Sequence, residues 1–263
     1  MPVAACSGGH EAMAFSAITV IPYYNHPATI TAMVEGVLRA GLPCIVVNDG
    51  SARESIGVLD SLALQHGALV QVLHLPRNLG KGGAMMAGLR EALRQGYSHA
   101  VQIDADGQHR CDEIPRFVAA ARQASEAMVC GAPAYDASVP KSRLYARYFT
   151  HVWVWINTLS LDIQDSMCGL RVYPLAATVA LLDQVRLGQR MEFDTEVLVR
   201  LHWRGLRVLS LRTPVTYPQD GISHFQLWRD NALISGMHAR LFFGMLVRSP
   251  ALLGRRLLRG LRA

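Results

Sequence analysis

The chain predicts an α/β fold: a mainly parallel sheet with helices on both faces, followed by an amphipathic, basic helical tail. Three observations carry this expectation. Short apolar runs alternate with segments of helical periodicity through the first half. Each of the first four runs is followed by a polar cluster. After Asp230 no acidic residue occurs, while Arg240, Arg248, Arg255, Arg256, Arg259 and Arg262 all follow it.

The elements follow in order. Residues 1–15 are small and mixed, and read as a leader. Residues 17–21 form a first strand, ending in Pro22-Tyr23-Tyr24-Asn25. Pro27 suits a first helical turn, where its missing N–H costs nothing, and opens a helix to residue 40. A strand at 44–47 ends at Asn48-Asp49-Gly50-Ser51, and a helix spans 54–65. Residues 69–75 are the third strand, and Asn78-Leu79-Gly80-Lys81-Gly82-Gly83 opens a helix to residue 95. The fourth strand, 100–103, leads into Asp104-Ala105-Asp106-Gly107-Gln108-His109.

The second half is less regular. A strand is expected at 127–131 and a helix at 143–159, with Leu144, Tyr148, Val152, Trp155 and Leu159 at helical spacing. Trp153 and Ile156 widen that apolar face, which suits either a core or a lipid-like acceptor. A helix at 192–204 precedes strand material at 206–209 and 213–217. Ser249-Pro250 should interrupt the tail, leaving 251–261 as a separate amphipathic, basic segment suited to an anionic bilayer surface. The expected organisation is therefore a leader (1–15), an α/β domain (16–225) and a helical tail (226–263).

Composition sets limits on function. With 263 residues, 51% of them hydrophobic, the chain can bury a substantial core. The net charge of +6 is matched by the six tail arginines, so the body is formally neutral. That argues against a nucleic-acid-binding face. The five cysteines are scattered without a C-x-x-C pair, which suits reduced thiols in the cytosol and not a disulfide framework or zinc site. Neither a signal peptide nor an apolar run of about 18 residues is found.

In a parallel sheet of this kind, ligands bind beyond the carboxyl ends of the strands. The four polar clusters should therefore line one rim. Asp104 and Asp106, two residues apart in an extended segment, can converge on one cation. Gly107 permits a sharp turn, and Gln108 and His109 add further ligands. Hard oxygens with open positions suit Mg²⁺ or Mn²⁺ shared with substrate phosphates. Asp49 and Ser51 could either cap a helix or accept hydrogen bonds from a nucleotide. The glycines and Lys81 at a helix N-terminus suit a diphosphate, although neither G-x-x-x-x-G-K-[ST] nor G-x-G-x-x-G is present.

These motifs, in this order, resemble family 2 glycosyltransferases, and most closely the dolichyl- or polyprenyl-phosphate sugar transferases. The resemblance runs on through Asp165-x-x-Cys168-Gly169-Leu170-Arg171 and Glu192-Phe193-Asp194-x-Glu196 to Ser223-His224-Phe225. It implies a GT-A fold, a UDP- or GDP-sugar donor, Mg²⁺ or Mn²⁺, and a lipid-like acceptor met by a peripheral enzyme at the inner, cytoplasmic face of the membrane. By that likeness Pro22, Tyr24, Asn25, Asp49 and Ser51 would hold the nucleotide, with Lys81 and Gly83 nearby. Asp104, Asp106 and Gln108 would hold the metal, and His224 would touch the diphosphate from a closing loop.

The same resemblance makes Asp165 the first choice as general base for a hydroxyl acceptor, with Glu192 and Asp194 behind it. A phosphate acceptor needs no base, and Arg143, Arg147 and Arg171 are its candidate partners. The chain departs from the family at Asn48, where an aspartate is usual, and at His26, where a glutamate is. A sugar-nucleotide pyrophosphorylase would carry a glycine- and arginine-rich loop where Pro22 to Asn25 stand. A non-catalytic nucleotide-sugar-binding adaptor is the other alternative, and the intact Asp104, Asp106 and Gln108 argue against it.

Overall fold

A computed structural model describes residues 14–134, 141–215 and 226–260. A seven-stranded sheet runs in the order β3-β2-β1-β4-β6-β5-β7. Its strands are β1 (Ala17–Tyr23), β2 (Cys44–Asn48), β3 (Val70–His74), β4 (His99–Gln102), β5 (Met128–Ala134), β6 (Arg171–Pro174) and β7 (Val208–Pro214). β1 pairs in parallel with β2 and β4, β2 with β3, and β5 with β7, whereas β6 is antiparallel to both its neighbours. The sheet is thus mainly parallel, as the alternating pattern requires. Tyr23 pairs with Asn48, and Asn48 with His74, so the ends of three strands stand level on one rim.

Helices cover both faces. α1 (Pro27–Arg39), α2 (Arg53–His66) and α4 (Ile114–Gln123) pack on one side. α3 (Lys81–Arg94), α6 (Leu175–Gln184) and α7 (Phe193–Trp203) pack on the other, with α5 (Lys141–Thr158) and α8 (Leu227–Gly260) outside them. α1 buries Ile30, Met33, Val34 and Val37, spaced to form one stripe. Every residue of β2 and β4 is buried, as strands covered on both faces must be. Gly88 lets α3 approach the sheet, because a Cβ there would lie 2.4 Å from Val20 Cγ1 and 2.9 Å from Val47 Cγ2.

Several expectations change. The leader lies outside the described residues up to residue 13, but Phe15 is anchored by stacking on His99 at 4.4 Å. β6, α4 and α6 go beyond the elements read from the sequence. β6 is only four residues long and begins with a buried arginine, which hides its strand pattern. The two strand pieces expected at 206–209 and 213–217 merge into β7, and residues 216–217 lie outside the description.

The tail is not broken at Pro250. α8 continues through it, and Ser249 Oγ donates to the Leu246 carbonyl at 2.8 Å, satisfying the acceptor that Pro250 leaves without its helical N–H. In α5 the expected face is only partly a core face. Val152, Trp155 and Leu159 are half-buried, Tyr148 and Ile156 are exposed, the fully buried Val154 lies off that face, and the side chain of Leu144 lies outside the described residues.

Replacing Gly88 by alanine should destabilise the protein by about 2 kcal/mol, overpacking outweighing the roughly 1 kcal/mol gain in helix propensity. A melting curve no lower than wild type would contradict this packing of α3 on β1 and β2.

Candidate active site

The first two rim loops are tied together by their own side chains. Asn25, at φ 52°, donates its backbone N–H to Ser51 Oγ at 3.1 Å, and its Oδ1 accepts from Ala52 N at 2.9 Å. Asn48 Oδ1 accepts from Ser51 N at 3.1 Å, and its Nδ2 donates to His74 Nδ1 at 2.9 Å. His74 Nε2 in turn donates to Asp60 Oδ1 at 3.1 Å. Asn48 therefore has a local reason to be an amide: its Nδ2 donates into this chain, which an aspartate could not do.

Asp49 is buried, and its two oxygens accept from Leu79 N at 2.6 Å and Gly80 N at 2.8 Å. Burial pushes its carboxyl above the ordinary value, partly offset by these two N–H donors. Its first task is to pin the loop before α3. Pro22 pairs within β1, and the half-buried Tyr24 lies just beyond it.

That loop delivers Lys81 to the centre of the site. Lys81 Nζ donates to Asp104 Oδ2 at 2.8 Å and Asp194 Oδ2 at 2.7 Å. Burial opposes the ammonium charge, but the two carboxylates outweigh it and hold Lys81 protonated well above its ordinary range. Burial likewise opposes the charge on Asp104, and Lys81 reverses that, holding this carboxyl below its usual value. Gln102 sits beneath, fully buried, donating to Asp194 Oδ1 at 3.2 Å and Asp104 Oδ1 at 3.4 Å. Tyr173 donates to Gln102 Oε1 at 2.7 Å and fixes which way that amide faces. Gly169 is obligatory at the other side, since a Cβ there would lie 2.0 Å from Asp104 Oδ2.

Asp106 stands apart from this pairing. Its Oδ1 accepts from Gln108 N at 3.0 Å across the turn at Gly107, which has φ 74°. Burial, and then the charge of Asp104, push its carboxyl up to about 6. Two carboxylates held this close, with the half-buried Gln108 beside them, form a hard oxygen set whose mutual repulsion a divalent cation would relieve. The residues therefore fit Mg²⁺ or Mn²⁺. Among the described residues no three His, Cys, Asp or Glu side chains gather as metal ligands, so the chain would supply only part of the coordination shell. His109 is buried, and its Nε2 accepts from Gly169 N at 3.2 Å, a packing role.

The glycines in the first turn of α3 serve packing more than an open anion cradle. Gly83 donates its N–H to Gln189 O at 2.8 Å, and a Cβ there would meet Leu79 at 2.5 Å. Gly82 lies against Phe193 Cβ, where a Cβ would stand at 2.4 Å. In this arrangement the N–H of Gly83 is used by Gln189 O and is not offered to a diphosphate.

The acceptor-side expectations change more. Asp165 is buried, and Arg147 donates to it bidentately, Nε at 2.6 Å and Nη2 at 2.7 Å. Met167 N and Cys168 N donate to its Oδ1 at 2.8 and 2.7 Å, and His151 Nε2 lies 3.3 Å from Oδ2. Burial would raise its pKa, but His151 and Arg147 together hold the carboxyl far below the usual range. A carboxylate stabilised this strongly as the anion is a poor general base.

Arg171 is fully buried and donates to the carbonyls of Cys168, Asp194 and Ser166 at 2.7, 2.5 and 2.6 Å. It knits the 165–171 segment to α7 and cannot reach a substrate phosphate. Glu192 is buried in the turn before α7, accepting from Arg190 N at 3.4 Å. Asp194 joins the Lys81 cluster. The side chains of Arg143 and His224 lie outside the description. Gln102 and Tyr173 were not singled out from the sequence. A glutamine two residues before Asp104, in an otherwise apolar strand, is the signal that could have found the first.

The seven-stranded, mainly parallel sheet with helices on both faces has the GT-A fold. The sequence model of glycosyl transferase family 2 matches residues 18–177, and the chain belongs to that family. It is an enzyme of that family, a glycosyltransferase. An undecaprenyl-phosphate mannosyltransferase from Micrococcus luteus is 29% identical over 208 residues, covering 76% of this chain and 82% of the relative. A dolichyl-phosphate beta-glucosyltransferase from Drosophila melanogaster is 28% identical over 243 residues, covering 80% and 73%. Among solved structures, glucosyl-3-phosphoglycerate synthase from Mycobacterium tuberculosis, in complex with Mn²⁺ and UDP-glucose, superposes with a TM-score of 0.65. It is 14% identical, covers 88% of this chain and 79% of its own, and shows the shared fold.

Asp165→Asn should lower stability by about 3 kcal/mol at neutral pH, since it leaves Arg147 without its buried partner. The folded carboxyl titrates below its unfolded value of about 4, so this stability is present above that pH and lost as the pH falls further. The gap between denaturant melts of the two proteins should therefore begin to narrow below about pH 4 and keep narrowing as the pH falls; a pH-independent gap would contradict an ionised Asp165.

Proposed function

We propose that the protein is a metal-dependent, inverting glycosyltransferase that moves a sugar from a UDP- or GDP-sugar to a polyprenyl-phosphate-like acceptor. The observation that carries the reading is Lys81 fixed between Asp104 and Asp194 at the end of β4, with Asp106 one turn away. Asp104, Asp106 and Gln108 would hold Mg²⁺ or Mn²⁺ against the donor diphosphate. When bound, that ion supplies neutralisation of the charge that develops on the leaving nucleoside diphosphate. Pro22, Tyr24, Asn25, Asp49 and Ser51 form the wall assigned to base and ribose, and His224 is assigned to the diphosphate. Lys81 keeps Asp104 ionised at neutral pH.

The occupied state of Asp165 favours a phosphate over a hydroxyl acceptor. A phosphate oxygen is already ionised and attacks without a base, whereas a hydroxyl would need one. Arg147, held bidentately at Asp165, is the described cation we assign to that phosphate. The names of the relatives, which act on undecaprenyl and dolichyl phosphates, support the same acceptor class. Among the described residues no helix is long and apolar enough to cross a membrane. The proposed enzyme meets its acceptor as a peripheral protein on the cytoplasmic face.

The test is a panel of radiolabelled nucleotide sugars offered with a membrane lipid extract and Mg²⁺ or Mn²⁺, followed by phase partition. Label should enter the lipid phase with one donor and be released by mild acid, as a glycosyl phosphate is. Acid-stable lipid label would mark a hydroxyl acceptor, and no lipid label with any donor would defeat the proposal. Asp106→Ala should reduce transfer by roughly a thousandfold, the scale of several kcal/mol of lost charge stabilisation. Unchanged turnover in that variant would remove Asp106 from the site.

A further inference from the structure

Helix α8 is apolar on two opposite sides. Met237, Leu241, Met245 and Leu252 are buried against the body. At about 100° per residue, Phe243, Leu246, Val247, Leu253, Leu257 and Leu258 fall together on the outward side. They are 47–80% exposed, and no charged residue interrupts them. A helix with two apolar sides, one of them docked, needs a second apolar environment for the other.

The charges sit at the edges of this stripe. Arg248 lies over the Trp203 ring at 4.9 Å, Arg255 Nη2 donates to Trp203 O at 2.6 Å, and Arg256 Nη1 donates to Leu159 O at 3.1 Å. These guanidiniums stand at the boundary between body and stripe. Nothing acidic follows Asp230, which is itself buried and paired with Arg190 at 2.9 Å. Two copies joined stripe to stripe would oppose these rows of arginine without a compensating carboxylate from α8. An anionic lipid surface presents the complementary charge.

The surface also leads to the site. Ring contacts run from Phe149 to Trp153 (6.5 Å), from Trp153 to Phe242 (6.3 Å) and from Phe242 to Phe243 (5.9 Å). Phe149 is 66% exposed, while Arg147 and His151 of the same helix reach Asp165. We infer that the outward stripe of α8, extended by Phe149 on α5, docks the protein on an anionic bilayer. The inference rests on the lipid-linked acceptor proposed above, and gives that acceptor its direction of approach, along α5.

Vesicle flotation tests it, using phosphatidylcholine alone or mixed with phosphatidylglycerol, wild type beside a Val247→Ser, Leu257→Ser double variant. Wild type should float with the mixed vesicles and less so as salt is added. The double variant should bind about a hundredfold more weakly, roughly tenfold per lost side chain, with an unchanged melting temperature. It should also keep full transfer to a short-chain, water-soluble polyprenyl phosphate. Wild type that fails to float with either vesicle, or a double variant that floats equally well, would overturn the docking face. So would a wild-type dimer that the double substitution makes monomeric, since a second copy would then cover the stripe. Vesicle binding without sugar transfer would support this face and defeat the proposed function; transfer without binding would do the reverse.

Discussion

The site depends on one half-buried ammonium. Lys81 is held between Asp104 and Asp194, and those three residues come from the start of α3, the turn after β4 and the first turn of α7. Without the lysine, two carboxylates would face each other in a poorly solvated space and one would have to take up a proton. With it, Asp104 stays ionised and three separate segments are locked in one arrangement. The glycines around the cluster answer the same constraint. Gly169 makes room for the Asp104 carboxylate, and Gly82 lets the start of α3 close on Phe193.

This arrangement joins the two halves of the sheet. The parallel strands β1 to β4 bring the donor-side loops to one rim, and β6 inserts antiparallel beside β4 to carry Tyr173 under Gln102. Arg171, on the same strand, ties the 165–171 segment to α7 through three carbonyls. Beyond that sheet α5 and α8 carry exposed apolar side chains, and Asp165 accepts both nitrogens of Arg147.

Much of the first half was legible from the sequence because its local signals agree. Pro27 opens a helix, apolar runs mark buried strands, and polar clusters follow the strand ends. The rim could be assembled from these alone, including Lys81 and both aspartates. What could not be read is where a polar side chain finds its partner. Asp165 looked like a base because sequence shows the carboxylate and not the two arginine nitrogens on it. Arg171 looked like a phosphate ligand because a fully buried arginine satisfied by backbone carbonyls has no pattern of its own. Pro250 looked like a break because the rescue by Ser249 is a matter of geometry. Gly83 was taken as part of an anion cradle, and its amide is instead used by Gln189 in a distant segment.

We propose that Asp104, held ionised by Lys81, shares a divalent cation with a nucleoside diphosphate. Calorimetric titration of UDP and of GDP into the protein, with and without Mn²⁺, tests it most directly when repeated on Asp104→Asn. Mn²⁺ should strengthen binding of one nucleotide to the wild type, and the variant, though folded, should lose this coupling. Binding that is equally tight with and without the metal, or a coupling that survives in Asp104→Asn, would contradict it.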